Sequence, residues 1–79
     1  KSMIGHLISA AGAVELIAML ACAQTGRIHP TINIDSQDSQ CDLDYVSEGP
    51  RQARPGWYLK NSFGFGGQNS CLAVHIAAN

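Results

Sequence analysis

Asn61-Ser62-Phe63-Gly64-Phe65-Gly66-Gly67-Gln68-Asn69 is the most glycine-dense run in the chain, and it lies between two strand-like segments. The glycines allow positive φ and a close approach of the main chain to a neighbouring group. The phenylalanine rings keep the segment from behaving as a flexible tether. On its N-terminal side Pro55-Gly56 marks a turn, and Trp57–Asn61 is predicted to be a strand. On its C-terminal side, Ser70–Ala77 is a second predicted strand, with Leu72, Val74 and Ile76 on one face and Cys71, Ala73 and His75 on the other. Neither face is strongly polar, a pattern that predicts a strand covered on both sides. The glycine segment should therefore join two neighbouring strands of a buried sheet.

Upstream, the pattern predicts a helix from about Ala10 to Thr25, with Ser9 as N-cap and Gly26 closing it just ahead of Arg27. Val14, Ile17, Ala18 and Ala21 fall on one side and Leu16, Met19, Leu20 and Ala23 on another, so the helix is apolar nearly all round and is expected to be buried. Glu15 is its one charge. A carboxylate enclosed without a partner costs several kcal/mol, which predicts a cation beside it, Lys1 being nearest in sequence; an exposed strip is the alternative. Lys1-Ser2-Met3-Ile4-Gly5-His6 is predicted to be a loop or single turn feeding the helix. After the helix, His29-Pro30-Thr31-Ile32-Asn33-Ile34 should be extended, because Pro30 pushes His29 out of the α region. Residues 35–54 are polar and aperiodic, except for a possible edge strand at Leu43-Asp44-Tyr45-Val46.

A chain of 79 residues is at most one domain, and its core is marginal. Only 14% of residues are charged, against a typical quarter, which suggests a fragment or tightly associated subunit whose surface is covered elsewhere. An upstream portion is expected before Lys1. A net charge of -1 argues against nucleic acid or anionic membrane recognised by bulk charge, and Arg51, Arg54 and Lys60 are too sparse for a nucleic-acid patch. Glu15, Gln24 and Arg27 interrupt the longest apolar run, so a transmembrane helix is not expected. Cys22, Cys41 and Cys71 have neither framework nor metal spacing and are expected to be structural, reduced thiols of an intracellular protein. Asp35, Asp38, Asp42, Asp44 and Glu48 lack the order of a calcium loop and are expected to be solvated.

His6, between a glycine and a buried helix, is placed to remain neutral and to donate one ring N–H to a carbonyl oxygen; a structural histidine fits the same position, as it does for His29 and His75. Three uses of the glycine segment can be weighed. A dinucleotide cradle needs a strand before the glycines and a helix after them, and here a strand follows. A structural hairpin fits, and so does a loop whose exposed backbone N–H at Phe65 serves an oxyanion hole.

Taken in order, Lys1–His6, Ala10-Ala11-Gly12-Ala13-Val14-Glu15, Pro30-Thr31-Ile32-Asn33, Asp42-Leu43-Asp44 and Asn61–Asn69 resemble the C-terminal end of the β-ketoacyl-acyl carrier protein synthases. The elongating, FabF-like condensing enzymes of type II fatty acid synthesis are the nearest type, and polyketide synthase ketosynthase domains are similar. The resemblance implies an α/β fold of the thiolase-like, five-layer α-β-α-β-α kind, of which residues 1–79 would be an incomplete C-terminal segment with one buried helix and sheet strands. It implies a cytoplasmic homodimer that works without cofactor or metal on acyl and malonyl thioesters of acyl carrier protein, by decarboxylative Claisen condensation. His6 matches the histidine that stabilises the malonyl enolate, and Lys1 with Glu15 the pair that orders the site. Phe65 matches the gating phenylalanine whose N–H serves the oxyanion hole, with Phe63, Gly64, Gly66 and Gly67 forming its loop. The nucleophilic cysteine and a first histidine would lie in the missing N-terminal part, so this segment by itself should be inactive. A non-catalytic partner of the chain-length-factor type is the rival, which retention of Lys1 and His6 disfavours.

Overall fold

The computed structural model describes residues 1–78. One helix and two small antiparallel sheets make up its regular structure, an α/β arrangement. A 3₁₀ turn, Ile8–Ala10, leads into helix α1, Ala11–Thr25. The expected cap at Ser9 does not form. The chain enters α1 through the 3₁₀ turn, Ala10 takes the N-cap position, and no side chain bonds the first turn. At the other end Gly26 adopts the left-handed conformation at φ 71°, and its N–H reaches the carbonyls of Cys22 and Ala23, as its position predicts.

Strand β1, Arg27–Ile28, pairs antiparallel with β2, Arg51–Gln52. Together they close the base of the polar excursion between them, reinforced by hydrogen bonds from Ala53 N–H to the Gly26 carbonyl at 2.9 Å and from Thr31 N–H to the Val46 carbonyl at 3.1 Å. The edge strand expected at Leu43–Val46 is absent. Asp44 Oδ1 accepts the N–H of Val46 at 3.1 Å, and Val46 turns to φ 54°, so the side chain bends the backbone locally and removes it from a ladder. Asp38 likewise accepts the N–H of Gln40 at 2.9 Å. Asp38 and Asp44 therefore shape turns, and Asp44 and Glu48 hold a cation. Arg51 reaches both Asp44 and Glu48, with Nη2 2.9 Å from Asp44 Oδ1 and Nε 2.9 Å from Glu48 Oε1.

The second sheet is a hairpin of β3, Gly56–Gly64, and β4, Gln68–Ile76, in register from Gly56↔Ile76 to Gly64↔Gln68. Both strands extend further into the glycine segment than the sequence pattern predicts, and the connection shrinks to Phe65-Gly66-Gly67. Gly66 and Gly67 both lie at φ 81°, which is why side-chain-bearing residues do not suit the turn. Alternation puts Tyr58, Lys60 and Ser62 on the face that also bears Leu72, Val74 and Ile76. That face looks toward α1, with a cleft of about 290 Å³ between them lined by Gly12, Leu16, Lys60 and Ser62. The opposite face is open. Trp57, Leu59 and Phe63 are 72%, 66% and 75% exposed, and Trp57 makes an edge contact with His75 at 5.0 Å.

The expectation of a buried helix and a sheet covered on both sides is thus not met within this chain. Among the described residues the buried apolar side chains are Ala11 and Ala53, because one helix can shield only one face of a hairpin. Cys22 is half-buried, and Cys41 and Cys71 are exposed, so the thiols are free but not enclosed. Residues Ile8–Thr25 form one helical stretch of 18 residues that is long and apolar enough to cross a membrane. Glu15, with cations on two sides, stands in its middle.

Two outcomes are expected from this geometry. Gly66→Ala should cost about 1–2 kcal/mol, from the left-handed backbone alone since no atom obstructs a Cβ there, whereas Gly64→Ala, at φ -135°, should cost less. Thermal melting of the two variants in the full-length protein checks the order. Arg51 and the N–H of Val46 hold the Asp44 carboxyl down to about 2 from an ordinary 3.8. A depressed carboxylate stabilises the fold above its unfolded pKa and loses that contribution as pH falls through the folded value. Carboxyl NMR should therefore show Asp44 still ionised at about pH 3, and Arg51→Gln should move its midpoint toward the ordinary value.

Candidate active site

The first six residues form a tight turn. Gly5 N–H donates to the Lys1 carbonyl at 2.8 Å, with Gly5 at φ 78°. Ser2 Oγ accepts the N–H of Ile32 at 3.0 Å and so fastens the turn to the segment after the helix. His6 follows directly. Its Nδ1 accepts the N–H of Ile8 at 3.1 Å, an arrangement that leaves the ring proton on Nε2. Ile8 sits at φ 55°, a strained conformation for a β-branched residue that is retained where the surroundings demand it. His29 is oriented differently. Its Nδ1 lies 3.2 Å from the Pro30 carbonyl, which can only accept, so the proton there is on Nδ1.

Glu15 rises from the second turn of α1 and meets two ammonium groups. Lys1 Nζ is 3.0 Å from Oε2, and Lys60 Nζ is 3.0 Å from Oε1. The pairing expected with Lys1 is present. The pairing with Lys60 was not anticipated, although strand alternation puts Lys60 on the helix-facing side beside Tyr58 and Ser62, which is a signal for a buried cation seeking a carboxylate. Exposure separates the two lysines, with side chains 48% accessible for Lys1 and 9% for Lys60. Oε2 is shut off from solvent and receives no aligned hydrogen bond among the described residues, so the charge contact with Lys1 is what compensates it.

Lys60, then Lys1, hold the Glu15 carboxyl below its ordinary value of 4.5, against a smaller opposing effect of burial. Its stabilising contribution is therefore present above the ordinary carboxylate range and lost as pH falls through the depressed folded value. Removing one member of an enclosed pair costs about 3–5 kcal/mol, a ceiling here because Lys1 is half exposed. Lys60 uses its remaining donors within its own strand, on the Asn61 carbonyl at 2.8 Å and Ser62 Oγ at 2.6 Å.

A cleft of about 360 Å³ opens beside this cluster, with Lys1, Ser2 and Ile4 on one wall, Glu15 and Cys22 on the helix, and His29 and Thr31 opposite. Phe65 stands at the hairpin tip with its whole side chain exposed, and Phe63 is 75% exposed on the open face. A third cleft runs along the turn past Phe63, Gly64 and Gln68. Among the described residues no hydrogen bond joins His6 to Phe65. What connects their two segments is the chain of contacts from Lys1 through Glu15 to Lys60, three residues before Phe63.

Comparison with known proteins finds similar sequences. Residues 1–35 match the model of the β-ketoacyl synthase C-terminal domain. Over 73 residues, 92% of the chain, it is 44% identical to a 3-oxoacyl-[acyl-carrier-protein] synthase 2 of Synechocystis sp. and covers 18% of that protein. It is 40% identical over 94% of its length to the synthase 2 of Coxiella burnetii, again covering 18%. Against the chloroplastic synthase II of Arabidopsis thaliana it is 49% identical over 91% of its length and covers 14%. The chain thus spans less than a fifth of these curated relatives. The matches run from the Lys1–His6 turn through the glycine hairpin, so most of the chain is similar to part of the 3-oxoacyl-[acyl-carrier-protein] synthases.

Proposed function

We propose that this chain is the C-terminal segment of a 3-oxoacyl-acyl carrier protein synthase of fatty acid elongation, an acyltransferase built on the thiolase-like five-layer fold. The observation that carries the reading is the His6 imidazole, with Nδ1 accepting the Ile8 N–H and Nε2–H left to donate, at the end of the turn that begins at Lys1, the partner of Glu15. In the reaction, the bond between the malonyl carboxylate and its α-carbon breaks and carbon dioxide leaves. The electron pair passes to the thioester carbonyl oxygen, and the resulting enolate is stabilised by the His6 Nε2–H. The α-carbon then attacks the acyl group held on a cysteine of the remaining protein. The Phe65 N–H stabilises the oxyanion that forms, and collapse expels the cysteine thiolate.

Lys1 and Glu15 order the turn that carries His6. Phe65 gates acyl entry at the hairpin tip, with Gly64, Gly66 and Gly67 allowing its backbone to approach the thioester and Phe63 anchoring the strand below. The exposure of Phe65, and the contacts linking its strand to the His6 turn, support convergence of the two on one thioester in the whole protein. The partners in this reading are acyl carrier protein, the rest of the same enzyme and a second copy in a cytoplasmic homodimer. The open sheet face of Trp57, Leu59 and Phe63 supports extensive covering by such neighbours.

His6→Ala in the full-length protein should lower malonyl decarboxylation by about 100-fold or more, as for loss of one oxyanion donor. Acyl transfer to the cysteine should be largely retained. The two half-reactions, measured separately, check the assignment, and equal loss of both would reject it.

A further inference from the structure

The geometry points to Lys60 as a positioning residue that couples the glycine hairpin to the Lys1–His6 turn through Glu15. The inference rests on the condensing-enzyme reading and deepens it. Lys60 is 9% exposed, near the middle of β3, and its ammonium faces three oxygens. Two of them, the Asn61 carbonyl and Ser62 Oγ, belong to the segment that runs into Phe63-Gly64-Phe65. The third is Glu15 Oε1, on the helix.

Glu15 uses its other oxygen on Lys1, at the start of the turn whose Gly5 bends the chain into His6. One carboxylate is thus held between a cation fixed to the hairpin and a cation fixed to the histidine turn. Of the two, Lys60 is the better enclosed and has the least freedom to move away. With Lys60 neutral, Glu15 would answer to Lys1 only, and nothing in this cluster would relay the hairpin's position to the turn. Lys60 itself touches none of the groups assigned to substrate. Its loss should therefore alter turnover on the malonyl side more than substrate affinity.

The test uses the full-length protein with Lys60→Met, Lys60→Arg, Glu15→Gln and the double variant Glu15→Gln/Lys60→Met, with malonyl thioester decarboxylation as readout. Lys60→Met should lower kcat about tenfold, mid-range for members of one ion-pair network. KM should stay within about twofold. Lys60→Arg, which keeps the charge, should retain more activity than Lys60→Met. In the Glu15→Gln background Lys60→Met should cause little further loss, because its effect passes through the carboxylate. A wild-type rate for Lys60→Met, or losses that multiply in the double variant, would overturn the coupling. If Lys60→Met fails to fold, Lys60→Arg outperforming Glu15→Gln supports it and equal impairment overturns it. If the wild-type protein does not decarboxylate malonyl thioesters, the condensing reading fails by itself; the same variants are then compared by melting temperature, where non-additive shifts support the coupling and additive ones overturn it.

Discussion

A single carboxylate, that of Glu15, lies between the ammonium groups of Lys1 and Lys60, and the relation of the N-terminal turn, the helix and the hairpin depends on it. Hydrophobic burial cannot do this job in the chain by itself, since Ala11 and Ala53 are its buried apolar side chains among the described residues. Ion pairs at exposed sites are weak, but one cation of this pair of contacts is nearly enclosed, and an enclosed charge cannot lose its partner cheaply. A glutamate in an otherwise apolar helix is thus explained by what stands on either side of it.

Much of this was legible in the sequence, for reasons that differ from element to element. Gly26 announced the helix end because few residues other than glycine accept a left-handed cap. Gly66 and Gly67 announced the hairpin turn for the same reason, and Glu15 announced a cation because an apolar helix offers it no other company. The helix starts within a residue of the expected Ala10, but its cap differs. Ser9 has the chemistry of a cap, but the chain already turns at Ile8, and the 3₁₀ geometry takes the place of a side-chain oxygen. Leu43–Val46 has strand composition, yet Asp44 satisfies the Val46 N–H itself. Lys60 carries little signal in the sequence because a lone lysine in a strand ordinarily points to water, and its facing acquires meaning from β3 lying along α1.

The uncovered surface follows from the same logic. A helix apolar on nearly every side and a hairpin apolar on both faces need covers on more surfaces than they can provide for each other. Exposed Ile17, Trp57, Leu59 and Phe63 mark the surfaces left over. The chain spans less than a fifth of the curated relatives it matches.

The contrast between the two connections in this chain also bears on how it can change over evolutionary time. The polar excursion between β1 and β2 is closed at its base and exposed along residues 33–44, so residues could be added or deleted there at little entropic expense. The Phe65-Gly66-Gly67 turn has no such slack, because its strands are paired on both sides right up to it. Lengthening it by even one residue would shift strand register or break the pairing beside it, so diversity among descendants of this chain should accumulate in the first connection and bypass the second.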